Sequence, residues 1–357
     1  MGIRVAVVAA SKQSLACRSR YCEKVFVSDA VTLESLVETT VRAVADRQFD
    51  VVIPVSYAMT LALAQRRECF APYTHLEIAD ANVIARAANK LEMLELAAHV
   101  GVPRPKTFSA VEVQNHHDGL TFPVVIKPQK EWPGRRPVQY ARNLEEMTNA
   151  LSAAIVGEQG CAAEDLIVQE FVPGIGCGFF ATYQQGICKR IFMHRRVREY
   201  PASGGVSSCA ESFYDSKLES HGRKMLDALG WHGVAMVEFK RDSRDGEYKL
   251  LEVNPKFWGS LDLALAAGAD FPGDICRMAL GKSLSFSDHY NRNIRYHWPF
   301  SGYGELFHIW TRPASVFQVA MDFLNPSVRS NIWITDLEPN VEELRQIIHR
   351  LPRLRGS

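Results

Sequence analysis

None of the eight cysteines, at 17, 22, 69, 161, 177, 188, 209 and 276, forms a CxxC pair or joins a histidine cluster at zinc-binding spacing. Thiols scattered through a chain of this size exclude a disulfide framework and point to a reducing cytoplasm. Net charge is also nearly missing: 41 Lys and Arg stand against 40 Asp and Glu, leaving +1. No bulk field therefore favours nucleic acid or an anionic membrane, and neither is expected as a partner. The opening MGIRVAVVAA is an apolar run broken by Arg4, too short to span a bilayer and lacking the shape of a signal peptide. No GxGxxG turn lies near the start, which removes support for a dinucleotide fold, and GxxxxGK[ST] is missing throughout, which excludes a P-loop. Internal repeats, low-complexity tracts and sustained heptads are likewise missing.

What is present suits a soluble globular protein of two or three structural units: 357 residues, 47% hydrophobic and 23% charged. Short apolar runs at 3–9 and 51–55 (VVIPV) flank a helical pattern over 33–45, which predicts a parallel α/β unit over 1–85. The residues after Pro54, Ser56 and Tyr57, either line a crevice at a strand end or form a plain turn. Ala85 to Val100 carries Leu91, Leu94, Ala97 and Ala98 on one stripe and is stopped by Gly101 and Pro103, predicting one amphipathic helix with Lys90 near its start. Lys127 ends the apolar run PVVIK, where burial is costly unless an anion meets the charge. A basic loop with Lys130, Gly134, Arg135 and Arg136 follows. Further along come a helix over 144–154 and the strand-and-turn DLIVQEFVPG. His194, Arg195, Arg196 and Arg198 then cluster just before PASGG at 201–205. Arg196 and Arg198 are two residues apart and are expected on one strand face, suiting bidentate recognition of phosphate or carboxylate; a charge-guarded edge strand is the structural alternative. Helices are expected over 260–267 and 336–350, and Arg350, Arg353 and Arg355 make a small basic tail.

The organising stretch is Gly233 to Gly259, GVAMVEFKRDSRDGEYKLLEVNPKFWG. Two β-rich runs separated by Asp245-Gly246 predict a hairpin. If it closes symmetrically about Asp245, Glu238 faces Glu252, and alternation puts Glu238, Glu252 and Asn254 on one face. Carboxylates directly opposite each other repel, and a hard divalent cation between them turns repulsion into binding. The same alternation also occurs on a solvated surface hairpin.

These residues in this order resemble the ATP-grasp superfamily, specifically the carbamoyl-phosphate-synthetase-like carboxylate-amine ligases, over about residues 85–282. EFK followed by LEVNPKFWGSLDLALAAG resembles that group's metal-binding hairpin and the loop after it. ANKLEMLELAAHVGVPRPKT is similar to its linker helix, with Asn89-Lys90 where the family usually has Asp-Lys, and VVIKP and VQEFVPG are similar to the strands that clamp adenine. The resemblance implies an N-terminal parallel α/β domain (1–85), followed by an ATP-grasp fold of two α+β subdomains (86–172 and, with a C-terminal extension, 173–357) that clamp ATP. It also implies roles. Lys90 and Lys127 contact nucleotide phosphates; Glu170 and Val172 meet the adenine edge through main-chain groups, with Gln169 nearby; Glu238, Glu252 and Asn254 hold Mg2+ or Mn2+. Arg196 or Arg198, with the loop at Gly204-Gly205, sits over the γ-phosphate or the carboxylate substrate.

The implied reaction is ATP- and Mg2+-dependent: a small-molecule carboxylate is activated as an acyl phosphate, which an amine captures. A kinase on the same scaffold and a non-catalytic ATP-binding module are the alternatives, and a homodimer is allowed. The chain departs from the family in three places. Lys256 stands where Arg is common, so a bidentate grip on the acyl phosphate becomes a point-charge contact. No carboxylate follows Gly174 for the ribose. The N-terminal unit begins at what resembles the family's second strand, which fits a natural loss, a divergent start or a truncated reading frame. Trp258 and Ser260 either line the acceptor pocket or pack the core.

Overall fold

The computed structural model describes residues 2–115, 119–130, 138–156, 161–200, 205–300, 304–305, 309 and 313–354. Strands β1 (Val5–Ala9) and β2 (Cys22–Val27) pair in parallel and carry helix α1 (Leu33–Asp46) against them. Thr32 starts that helix by accepting a hydrogen bond from the Ser35 N–H. The run at 51–55 does not become a third strand. Val51 makes one isolated parallel bridge to His75, and Pro54 has no N–H with which to extend a ladder. Helices α2 (Tyr57–Gln65) and α3 (Arg67–Phe70) complete this unit around Val37, Val44, Leu63 and Phe70.

The single helix expected over 85–100 is two, α4 (Ala81–Ala87) and α5 (Lys90–His99). The break is chemical. Asn89 is extended, and its side-chain oxygen accepts from the N–H groups of Leu91 and Glu92, so it caps a new helix rather than continuing the old one.

Next comes an antiparallel sheet of β3 (Thr107–Ser109), β4 (Val124–Pro128), β5 (Gln139–Ala141) and β6 (Leu166–Glu170), in the order β3-β6-β4-β5. Helices α6 (Ala110–Asn115) and α7 (Leu144–Val156) cover it with a core that includes Val113, Met147 and Leu151.

The largest sheet has the order β11-β10-β7-β8-β9-β12-β13. Its strands are β7 (Gly174–Gln184), β8 (Ile187–Tyr200), β9 (Val206–Ser212), β10 (Gly233–Asp242), β11 (Tyr248–Asn254), β12 (Arg295–His297) and β13 (Val328–Ser330). Odd-numbered residues of β7, β8 and β10, such as Phe179, Met193 and Val237, pack with α4, α5 and α8 (Ser216–Ala228). Gly222 of α8 lies directly on the Phe179 ring, where a side chain would collide. Even-numbered Phe180, Phe192 and Met236 pack on the other face with α9 (Leu261–Ala266) and α10 (Phe271–Ala279). Two further helices, α11 (Val316–Leu324) and α12 (Glu338–Leu354), close the chain. Among the described residues, no helix is long and apolar enough to cross a membrane.

Candidate active site

The hairpin forms with Glu238 opposite Glu252 and Met236 opposite Asn254. Below this pair the symmetry fails: Phe239 faces Leu250, leaving Leu251 as a bulge. Strict alternation from Glu252 would have turned Leu250 and Tyr248 to the same face as the acids. The bulge instead sends both into the core beside Phe239, so one strand supplies packing at one end and acids at the other.

Charged side chains from three other elements converge on this pair. Lys90, the first residue of α5, places Nζ 3.2 Å from Glu252. Its position is set by Asn89, which takes a 2.8 Å hydrogen bond from the Gln129 amide, and by the Lys90 N–H, which donates to the Gln129 carbonyl at 3.0 Å. Gln129 follows directly on β4, so the same contacts bring Lys90 beside Lys127. Burial, reinforced by the charge of Lys90, lowers the Lys127 ammonium to about 8, with Glu252 and Glu238 partly restoring it. From β8, Arg196 reaches Glu238 at 2.6 Å and also meets Glu199 at 3.3 Å and the Gly205 carbonyl at 2.9 Å. Asn254 donates to Glu252 at 3.0 Å.

The two acids are pushed apart electrostatically. Burial raises Glu238, with the charge of Glu252 adding to it, and Arg196 offsets only part of the shift. Burial would raise Glu252 as well, but Lys90 and Lys127 outweigh it and hold that carboxylate well below its ordinary range. The result is an anionic pair walled by cations. Two carboxylates and an amide oxygen match the donors a hard divalent cation takes, and they leave positions for phosphate oxygens and water.

Other expected residues lie elsewhere. Arg198 does not join the pair. The register of β8 against β9 shifts between Arg196 and Arg198, breaking the two-residue alternation, and Arg198 is buried between Glu305 and Asp322 at 2.5 Å each. The Glu170 carboxylate holds Arg244 at 2.8 Å and accepts from the Lys106 N–H at 3.3 Å, so its side chain serves the turn between β10 and β11. Gln169 is buried and donates to Thr107 at 2.9 Å, joining β6 to β3; Val172 is buried beyond the strand end. Lys256 lines a small cavity with Pro54, Glu77, Trp231 and His232, facing the N-terminal unit. Gly134, Arg135, Arg136, Gly204 and Arg355 lie outside the described residues, as do the side chains of Arg350 and Arg353.

Sequence reasoning overlooked Lys240 and Gly176. Lys240 stands two residues from Glu238, pairs with Gly176, and carries its Nζ 4.9 Å over the Phe171 ring. Burial lowers its ammonium. Its parity with Glu238 was the available signal.

A four-stranded antiparallel sheet beside a larger sheet bearing an acid pair, with lysines supplied from the smaller sheet and its preceding helix, defines an ATP-grasp fold. The chain has this fold, and the curated relatives it is similar to are named as ligases. Residues 163–299 match the family model described as ATP-grasp in the biosynthetic pathway with Ter operon. The D-aspartate ligase of Enterococcus faecium is 25% identical over 242 residues, which are 61% of this chain and 57% of that protein. The D-alanine–D-alanine ligase of Bartonella henselae is 23% identical over 193 residues, 51% of this chain and 61% of that protein. The chain thus spans about three fifths of the length of these curated relatives. Among solved structures, a biotin carboxylase from Campylobacter jejuni in complex with β,γ-ATP superimposes with a TM-score of 0.65 at 14% identity, covering 81% of this chain and 68% of that one.

Proposed function

We propose that the protein is an ATP- and Mg2+-dependent ligase that activates a small carboxylate as an acyl phosphate for capture by an amine. The observation that carries this reading is the register Glu238–Glu252, with Lys90, Lys127 and Arg196 directed at the two acids. In this reading residues 86–172 and 173–357 are the two halves of the clamp. Glu238, Glu252 and Asn254 hold the metal, which when bound neutralises charge on the transferring phosphoryl group. Lys90 and Lys127 meet the nucleotide phosphates. Main-chain groups of Glu170 and Val172 face the base, since the Glu170 carboxylate is already engaged by Arg244. Arg196 orients the carboxylate and γ-phosphate, and Lys256 adds a point charge from the loop after β11. These are positioning and electrostatic roles, and no side-chain nucleophile is needed.

The neighbours support the nucleotide and the relatives support the bond: the biotin carboxylase was solved in complex with β,γ-ATP, and the curated relatives are named as ligases of D-aspartate and D-alanine. Glu252→Gln tests the reading. It is expected to abolish ADP release while far-UV circular dichroism stays native; full turnover in that variant would refute the assignment. A stable phosphorylated product formed without any amine would mark a kinase instead, and nucleotide binding without turnover a binding module.

A further inference from the structure

The loop leaving β11 crosses the even-numbered face of the large sheet, setting alternate residues over β7, β8 and the end of β12. Trp258 stacks on Phe180 of β7, with ring centroids 4.4 Å apart. Ser260 meets His194 of β8 at 2.8 Å. Asp262, in the first turn of α9, accepts a 3.3 Å hydrogen bond from the Trp298 indole just after β12. Along this track, three polar atoms are buried without a hydrogen-bond partner among the described residues: His194 Nδ1, Trp258 Nε1 and the Tyr296 hydroxyl. Buried polar atoms are nearly always satisfied, so three along one track mark a place where something else supplies the partners.

Asp262 is the charged member of the set. Among the described residues its carboxylate pairs with no Lys, Arg or His and accepts only the indole bond from Trp298. Every other acid near the site is matched to a cation: Glu238 to Arg196, Glu252 to Lys90, Glu211 to Arg195 and Arg295, and Asp322 to Arg198. Burial raises the Asp262 carboxyl, the direction expected of an acid lacking its cation. Tyr296 is close enough for the Asp262 charge to act on its hydroxyl, and its ring lies 5.0 Å from that of Trp298. A carboxylate, an unpartnered hydroxyl and two adjacent aromatic rings are the components that recognise an ammonium group.

We propose that Asp262, with Tyr296 and Trp298, binds a protonated amino group on the substrate, on the same large sheet as Arg196 and at the same register level. Tyr296 lies on β12, two strands beyond β8, so the amino group sits on the order of 10 Å from the strand that carries Arg196. The substrate is then an amino-bearing acid or amine with its cation remote from the phosphoryl-transfer centre. His194 Nδ1 and Trp258 Nε1 read other polar atoms of the substrate. This rests on the ligase reading for what happens at Arg196, while the ammonium site itself stands on the Asp262 cluster.

The test combines binding with turnover. Calorimetric titrations would use alanine, aspartate and lysine in both configurations against their deaminated counterparts propionate, succinate and hexanoate, with wild type, Asp262→Asn and Tyr296→Phe, alongside ADP release on the same compounds. Asp262→Asn keeps the acceptor for the Trp298 indole and removes only the charge. At least one amino compound is expected to bind wild type while its deaminated partner does not, and Asp262→Asn should weaken that binding, or raise its KM, by about 10- to 100-fold with the KM for ATP unchanged. Tyr296→Phe should weaken it less. Equal binding of amino and deaminated partners, unchanged affinity in Asp262→Asn, or no binding of any amino compound to wild type would overturn the proposal. Charge-dependent binding without ADP release from any compound would leave the ammonium site standing and refute the ligase reading instead.

Discussion

Arg196 reaches the carboxylate of Glu238 across an intervening strand. Arg196 is on β8 and Glu238 on β10, with β7 between them, and the guanidinium closes to 2.6 Å because the residue beneath it is Gly176. A methyl group at that position would stand 2.7 Å from Arg196 Cδ. The bare strand is what allows an arginine three strands in from the sheet edge to act on the acid pair at that edge.

Gly176→Ala is therefore expected to displace Arg196 rather than unfold the sheet, since the clashing atom belongs to a flexible side chain. ADP release should fall at least tenfold, with Tm within a few degrees of wild type. A variant that keeps wild-type turnover would show that the Arg196–Glu238 contact is dispensable.

Lys127 predicts a pH dependence. Its ammonium is lowered to about 8, so above that pH it loses the charge that would meet a phosphate. The KM for ATP should rise as pH passes through about 8, and Lys127→Arg, whose charge persists, should flatten that rise. Stability runs the other way. The unfolded lysine holds its proton up to about 10.5, so unfolding takes up a proton between about 8 and 10.5 and the folded protein gains stability across that window. Urea titrations at pH 7.5 and 9.5, with Lys127→Met as the control that lacks this term, check the sign.

Asn89 uses both ends of its amide: the oxygen caps α5 and accepts from Gln129, and the nitrogen donates to Glu92 at 2.6 Å. Asn89→Ala should cost about 1 kcal/mol through loss of the cap. Asn89→Asp restores the cap yet turns a carboxylate toward Glu92, so it should remain less stable than wild type at pH 7. Asn89→Ala also removes the acceptor for Gln129 that positions Lys90 and should raise the KM for ATP, measured alongside thermal unfolding.

Arg198 separates from Arg196 by experiment as it does in space. Arg198→Ala leaves Glu305 and Asp322 buried without their cation and should destabilise the fold by about 3–5 kcal/mol. The KM for ATP of the remaining folded protein should be unchanged. Arg196→Ala should show the reverse pattern, and a shared pattern would contradict the division.

Much of this was legible in the chain because strand and helix periods are local. The helix at 33–46, the strands around Lys127 and Gln169, and the facing of Glu238 and Glu252 all followed from spacing of two or of three and four residues. What period alone could not reveal were the places where the period breaks. Asn89 divides one apparent helix because its amide finds Gln129, forty residues away. VVIPV has the composition of a strand but makes only one bridge, to His75.

Chain order and alternation thus determined that two acids and an amide share a face and that lysines and arginines recur in the segments around them. Only the tertiary structure decided which cations arrive there. A bulge at Leu251 separates the packing end of β11 from its acidic end, and a register shift after Arg196 sends Arg198 into a buried ion cluster. A glycine on the neighbouring strand opens the path from Arg196 to Glu238. Each is a contact between segments distant in sequence, set by how a ladder closes and by which side chain leaves room for another, and no local pattern of residues encodes that.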